Sequence, residues 1–257
     1  MTEAMTFYDD MAEHYHLIFE DWEASMRRQG VTIASLLPPP DRVGPILDCA
    51  CGIGTQSLAL AERGFQVEAS DLSGAEVTRA RREAGDRNLP VQVRVDDMRT
   101  LEKAPVNHYG AVLCMDNALP HLDSDADIGM ALRAMGARLR PGGHLLLSLR
   151  DYGPLIRERP KAMAPSFFAD AGGRRIVFQV WDWLDDRRYT VHLYISRQDV
   201  SQGGGGQWRD HHFVGHYRAI PVDEMSALAA SAGFTDIRVL SPAQTGFYQP
   251  VITARRT

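Results

Sequence analysis

The 257-residue chain is short of several things, and each shortage removes a class of protein. No apolar run nears the roughly 20 residues that a membrane-spanning helix needs. There is no excess of basic charge: 28 Lys and Arg stand against 33 Asp and Glu, a net charge of −5. A nucleic-acid partner is therefore not expected, and Arg79, Arg81 and Arg82 read as a solvated helix face. The opening MTEAMTFYDDMAEHYH lacks the basic and apolar regions of a signal peptide, so a cytoplasmic protein is expected. There are three cysteines, Cys49, Cys51 and Cys114. An odd number argues against a disulfide framework. Cys49 and Cys51 are one residue too close for a C-x-x-C redox pair, and all three fall at the ends of apolar segments. They read as small buried hydrophobes. No internal repeat and no Ser-His-Asp or Cys-His arrangement is evident.

What is present is an alternation of strands and helices. Pro45–Cys49, Gln66–Ser70, Val91–Val95, Tyr109–Met115 and His144–Leu149 are apolar segments of strand length. Helices are expected at Gln56–Arg63, at Gly74–Ala84 behind the cap Ser73, and at Asp125–Arg138, stopped by Pro141-Gly142-Gly143. Apolar strands alternating with helices predict an α/β domain whose parallel sheet is covered on both faces. From about Arg174 to Ile220 the period becomes two, as in antiparallel strands. Arg174–Trp183 and Arg187–Arg197 flank the hairpin residues Leu184-Asp185-Asp186. Gly203–Gly206 is a flexible loop, and Trp208–Ala219 is a third extended run. A helix at Pro221–Ala232 and strands at Ile237–Leu240 and Val251–Arg255 close the chain.

The first strand leads into Gly52-Ile53-Gly54 and then a helix, and the second strand ends at Asp71. A glycine turn lets a ligand approach main-chain N–H groups. An acid 17 residues after Gly54 suits hydrogen bonds from ribose hydroxyls. A lone Gly-x-Gly is weak evidence, and Ser57 occupies the third position of the dinucleotide fingerprint, which speaks against NAD.

Asp48-Cys49-Ala50-Cys51-Gly52-Ile53-Gly54-Thr55 resembles motif I of the class I S-adenosylmethionine-dependent methyltransferases, with Ala50 in place of the first glycine. Asp71, Asp96-Asp97-Met98 and Arg140–Gly143 fall where that family has its other landmarks. The resemblance implies a Rossmann-like fold: a seven-stranded, mostly parallel sheet with helices on both faces, and an antiparallel insertion after the fifth strand. It implies one domain over 1–257: a helical arm or lid at 1–40, a cofactor-binding core at 41–150, a substrate lid at 151–220, and a closing helix and strands at 221–257.

A narrower resemblance is to the glycine and sarcosine N-methyltransferase branch. Asp116-Asn117-Ala118-Leu119-Pro120-His121-Leu122 is similar to its Asn-Ser-Phe-Ala-His-Leu loop, and Leu149-Arg150-Asp151-Tyr152 to its His-Arg-Asn-Tyr segment. Here the arginine follows Ser148-Leu149 and the N-terminal arm is shorter, which puts glycine as the acceptor in doubt. The resemblance implies S-adenosylmethionine contacts at Tyr8, Tyr15, Arg27, Ala50, Gly52, Gly54, Asp71, Leu72, Asp97, Met98, Met115, Asn117 and His121. It implies acceptor contacts at Asn117, Arg150, Tyr152, Trp181, Trp183, Tyr217 and Tyr248. Asn117, Arg150 and His121 are the catalytic candidates.

Each candidate has a plainer reading beside it. His121 assists deprotonation or only orders its loop. Asn117 touches substrate or makes a turn. Arg150 clamps a carboxylate or pairs with Asp151 or Asp116. His192, His211, His212 and His216 form a strand-borne ladder rather than a metal site, because adjacent His211 and His212 point to opposite faces; no metal is expected. Trp181 and Trp183 share a face that either packs the sheet or roofs a pocket. The expected partner is a small molecule, N-methylated or O-methylated, with no nucleic acid or membrane and with a homo-oligomer left open. An NAD-dependent oxidoreductase and a non-catalytic cofactor-binding module are the competing classes.

Overall fold

The computed structural model describes residues 3–198 and 206–257; most of the glycine tract expected as a loop lies outside them. Five parallel strands follow the expected alternation: β1 (Ile46–Asp48), β2 (Val67–Asp71), β3 (Gln92–Val95), β4 (Tyr109–Cys114) and β5 (Leu139–Ser148). β1 and β4 are buried throughout because successive side chains feed opposite layers. Leu47 and Val112 join the core on one face of the sheet, and Ile46, Ala111 and Leu113 the core on the other. The arm before β1 holds α1 (Glu3–Met11), a 3-10 turn at Tyr15–Ile18, α2 (Trp22–Ser35) and α3 (Pro40–Val43). Between the parallel strands run α4 (Thr55–Ala61), α5 (Gly74–Asp86) and α6 (Asp125–Arg138). Ser73 caps α5 by accepting the Glu76 N–H at 3.1 Å, and Ser124 caps α6 by accepting that of Asp127 at 3.1 Å.

After β5 comes α7 (Tyr152–Glu158), then a separate antiparallel sheet of β6 (Ala162–Asp170), β7 (Gly173–Trp183), β8 (Arg188–Gln198) and β9 (Trp208–Arg218). The chain returns through α8 (Val222–Ser231), β10 (Phe234–Leu240), α9 (Pro242–Thr245) and β11 (Val251–Arg256). β11 runs antiparallel to β5, and β10 to β11. The main sheet has the order β10-β11-β5-β4-β1-β2-β3, seven strands among the described residues. The chain leaves β1 toward β2 on one side and finds β4 on the other. Their carboxyl ends are therefore the crevice where open α/β sheets bind ligands.

Two elements differ from the sequence reading. Pro141-Gly142-Gly143 does not precede β5 but lies inside it, where the pairing with β4 jumps from Tyr109–Leu139 to Ala111–His144. A bulge absorbs the turn residues there, with Gly142 at φ 74. The insertion also begins one strand earlier than expected. β6 is mostly exposed and carries Pro165, and its pairing with β7 shifts between Met163 and Ser166. An edge strand interrupted by proline shows no period-two signal.

Arg175 of β7, 3% exposed, ties the insertion to the arm. Its guanidinium donates to the backbone carbonyls of Leu17 (3.0 Å), Phe19 (2.6 Å) and Glu20 (2.8 Å) and pairs with Asp170. The 3-10 turn is thus held over the carboxyl ends of the parallel strands.

Candidate functional site

The glycine turn after β1 places Gly52 at φ 52 and Gly54 at φ 97, both in the region that glycine enters without strain. A Cβ on Gly52 would stand 2.8 Å from Glu76 Oε2. The Gly52 N–H donates to Asp71 Oδ2 (2.9 Å) and the Ser73 N–H to Asp71 Oδ1 (3.0 Å), so the turn and the end of β2 are joined through one carboxylate. Burial pushes the Asp71 carboxyl up, against the opposing pull of these N–H groups. Asp48 at the end of β1 accepts the Ser57 hydroxyl at 2.6 Å, and burial pushes its carboxyl up to about 7. Above the turn lies a cavity of about 350 Å³, lined among others by Asp71, Leu72, Asp97 and Met98. Asp97 is gripped by the Arg99 side chain at 2.6 to 3.1 Å. Burial raises the Asp97 carboxyl, but Arg99 outweighs it and holds it below the ordinary value.

The chain leaving β4 turns through two left-handed non-glycine residues, Asp116 (φ 56) and Asn117 (φ 68). Such residues mark functional turns when the surroundings hold them. Here β5 holds them: the Asp116 N–H donates to Ser148 Oγ (2.7 Å) and the Asn117 N–H to the Ser148 carbonyl (3.0 Å). Asn117 Oδ1 accepts both the Arg150 N–H (3.1 Å) and the Tyr152 hydroxyl (3.0 Å), which leaves its buried Nδ2 without a partner. Arg150 donates from Nη1 to the Tyr189 hydroxyl at 3.0 Å and lies 5.0 Å and 5.3 Å from the ring centres of Trp181 and Tyr217. Burial works against its charge, but the oxygens of Tyr189, Tyr152 and Tyr217 outweigh it and raise the guanidinium above its ordinary value. Among the described residues no carboxylate pairs with Arg150, so neither Asp151 nor Asp116 takes it up.

Asn117 and Arg150 line a second cavity of about 380 Å³ beneath the insertion, walled by aromatic and aliphatic side chains of α1, the 3-10 turn and β8. Tyr8, Tyr15 and Asp116 line both cavities and mark where they meet.

Residues 46–143 match the family described as a methyltransferase domain. The chain is 30% identical over 150 residues to a glycine/sarcosine N-methyltransferase of Parasynechococcus marenigrum (strain WH8102), covering 58% of this chain and 52% of that protein. It is 35% identical over 109 residues to a ubiquinone biosynthesis O-methyltransferase of Xanthomonas campestris pv. campestris (strain B100), covering 42% and 44%. The matches thus span about half the length of each relative. In fold the chain is similar to Streptomyces venezuelae DesVI, with a TM-score of 0.77 at 19% identity over 96% of this chain and 99% of that one. The core is similar to a methyltransferase domain in sequence and in fold.

The expected cofactor contacts fall in three places. Tyr8, Tyr15, Ala50, Gly52, Asp71, Leu72, Asp97, Met98, Met115 and His121 line the turn cavity. Asn117 lines the aromatic cavity instead. Arg27 and Gly54 line neither. Arg27 is on the exposed face of α2, 3.9 Å from Glu23; the next residue, Arg28, turned by a third of a helical turn, lines the aromatic cavity. Gly54 faces Leu58 and Ala80, between α4 and α5.

Of the expected acceptor contacts, Asn117, Arg150, Tyr217 and Tyr248 line the aromatic cavity. Tyr152, Trp181 and Trp183 do not. Trp181 and Trp183 stack on Tyr189 at 4.7 Å and 5.0 Å, and Tyr152 bonds to its hydroxyl at 2.9 Å. They form the wall that seats Arg150 rather than a roof over the pocket. His121 is committed on both nitrogens. A carbonyl can only accept, so Nδ1–H donates to the His216 carbonyl (3.1 Å) and Nε2 accepts the Tyr8 hydroxyl (2.8 Å). Burial and the Arg150 charge push this ring down to about 3. It fastens the arm and β9 to its loop.

The histidines of the insertion divide as the strand period requires. His192 and His212 bond at 2.9 Å on one face, while His211 packs on His14 at 4.0 Å on the other. All three cysteines are buried. Sequence reasoning passed over Asp116 and Gln56 as site residues. Asp116 stood in the quoted loop, but nothing in the sequence reports that Gln56 reaches it from α4, with Nε2 2.7 Å from Asp116 Oδ2.

Proposed function

We propose that the protein methylates the nitrogen of a small acceptor that carries a carboxylate. The observation that carries this reading is a pair of donors in the aromatic cavity: the Arg150 guanidinium, bonded to the Tyr189 hydroxyl but without a carboxylate partner among the described residues, and the orphaned Asn117 Nδ2. Planar guanidinium and amide donors suit bidentate capture of a carboxylate. The adjoining turn cavity fits S-adenosylmethionine. Gly52 leaves no room for a Cβ beneath it, and each Asp71 oxygen accepts one backbone N–H and keeps a lone pair for ribose hydroxyls. Leu72, Asp97 and Met98 would hold the adenine, and Ala50 and Gly52 would lie along the amino-acid part. Bound there, S-adenosylmethionine supplies an electrophilic methyl group on a sulfonium. The contribution of this chain is alignment and exclusion of water: Tyr8, fastened by His121, and Tyr15 close over the junction of the two cavities.

Thermal shifts with S-adenosylhomocysteine and with NAD test the cofactor, since only a ligand bound by the folded state stabilises it. Turnover against panels of amines and phenols then tests the acceptor. Methylation of amines bearing a carboxylate is expected. Methylation of phenols alone would favour the O-methyl reading, which the similarity of the core to an O-methyltransferase also accommodates. Stabilisation by NAD and not by S-adenosylhomocysteine would overturn both.

A further inference from the structure

We propose that Asp116 anchors the acceptor's ammonium group and takes its proton, and that the acceptor is a zwitterionic amino acid with an apolar side group rather than glycine. This rests on the methyl-transfer reading and names the substrate class for it.

Three observations carry the inference. The first is position: Asp116 lines both cavities, on a left-handed backbone that turns it out of the strand direction of β4. The second is its set of partners. Its carboxylate receives the Gln56 amide at 2.7 Å and the Tyr248 hydroxyl at 2.5 Å, both neutral donors, and no ion pair reaches it among the described residues. Tyr248 faces it from the C-terminal segment, Tyr15 from the 3-10 turn and Asp48 from β1. Tyr8, Tyr217, Arg28 and Arg150 share the same cavity. Of these Arg28 and Arg150 are cations; neither forms an ion pair with Asp116 among the described residues, and Arg150 is seated on Tyr189, Trp181 and Tyr217. Asp116 is half-buried; a carboxylate drawn out of water without a cation is costly, and a ligand ammonium would match it. Burial raises this carboxyl despite the two hydrogen bonds, which brings it nearer to an amine in proton affinity. The third observation is size. The cavity holds about 380 Å³, against the ~150 Å³ that accepts a benzene ring in an engineered apolar cavity. Glycine would leave most of it empty. Phe7, Ile18, Phe19, Val191, Leu193 and Phe247 line it, and an apolar side group is what they would cover.

In the proton step an ammonium N–H bond breaks and an O–H bond forms on the Asp116 carboxylate. The electron pair of the broken bond stays on nitrogen as the nucleophilic lone pair. Asp116 returns its proton to water after product leaves.

The test uses the full chain loaded with S-adenosylhomocysteine, wild type and Asp116→Asn. Asn tolerates a left-handed backbone, and circular dichroism checks the fold. Calorimetry compares phenylalanine, 3-phenyllactate, which lacks the ammonium, and glycine. Wild type is expected to bind phenylalanine at least tenfold tighter than either of the others. Asp116→Asn is expected to lose the preference over phenyllactate while S-adenosylhomocysteine affinity stays within twofold. In turnover with the same amino acid, wild-type kcat/KM rises with pH and levels once Asp116 is ionised. The Asn variant falls at least 100-fold near neutrality and rises tenfold per pH unit until the free amine itself loses its proton, and Asp116→Glu recovers part of the loss. An unchanged preference and pH profile would overturn the inference. So would a loss of S-adenosylhomocysteine affinity with the preference kept, which would assign Asp116 to the cofactor, or wild type that binds none of the three probes. If wild type methylates other amines in these cases, methyl transfer survives and only the Asp116 assignment fails. If wild type binds no S-adenosylhomocysteine, both fail together.

Discussion

Asp71 and Arg150 separate the two halves of the site at the level of single residues. Asp71→Ala removes a charged acceptor from the turn cavity. Hydrogen bonds to a charged group are worth about 1.5–3 kcal/mol, so S-adenosylhomocysteine should bind roughly 10- to 150-fold more weakly. Calorimetry that finds unchanged affinity would remove Asp71 from the ribose. Arg150→Lys keeps the charge but loses the planar fork and its seat between Trp181 and Tyr217. It should raise KM for a carboxylate-bearing acceptor and leave cofactor affinity nearly unchanged. An analogue without the carboxylate should be almost indifferent to the change, which isolates the clamp from general damage. Weaker S-adenosylhomocysteine with an unaffected acceptor would move Arg150 to the cofactor side.

At the scale of elements, the arm is attached by two devices with different dependence on pH. His121 holds α1 and β9 through Tyr8 and the His216 carbonyl, and it does so as a neutral ring. Its folded pKa of about 3 lies below the ordinary value near 6.5. The stability it contributes is therefore present above ~6.5 and is lost as pH falls toward about 3. Amide exchange in α1, corrected for the intrinsic rate, should accelerate over that window in wild type and not in His121→Gln. Equal acceleration in both would assign the effect to another group. The second device, Arg175, carries its hydrogen bonds on an arginine. Arg175→Ala leaves three loop carbonyls without their donor, and breaking a buried charged contact of this kind costs about 3–5 kcal/mol. A lower Tm is expected, together with faster exchange across residues 15–21. Loss of Tm with exchange there unchanged would show that Arg175 supports only its own sheet.

For the whole molecule, the two sheets should differ in dynamics. The parallel core buries both faces of β1 and β4, whereas the insertion has an almost fully exposed edge strand in β6. The insertion should exchange faster than the five parallel strands, and should slow when cofactor and acceptor analogues bind together, because its β8 side chains line the aromatic cavity proposed to take the acceptor. Equal protection with and without ligands would make it a surface with another task.

The parts that the sequence alone determined are those with a local cause. Buried parallel strands read as apolar runs because both faces are covered, one helix start read from its cap Ser73, and the glycine turn with Asp71 read as a nucleotide-type site because backbone approach requires glycine. Period two revealed β7, β8 and β9. It could not reveal β6, where proline and exposure on both faces erase the alternation. Only the tertiary structure decided which side of α2 meets the cavity, and so that Arg28 and not Arg27 reaches it. Only it showed that the two tryptophans stand behind Tyr189, that both His121 nitrogens are taken, and that Asp116 meets Gln56 from 60 residues away. Each of these depends on partners distant in the chain, and a side chain's direction and partners follow from packing, which local sequence does not encode.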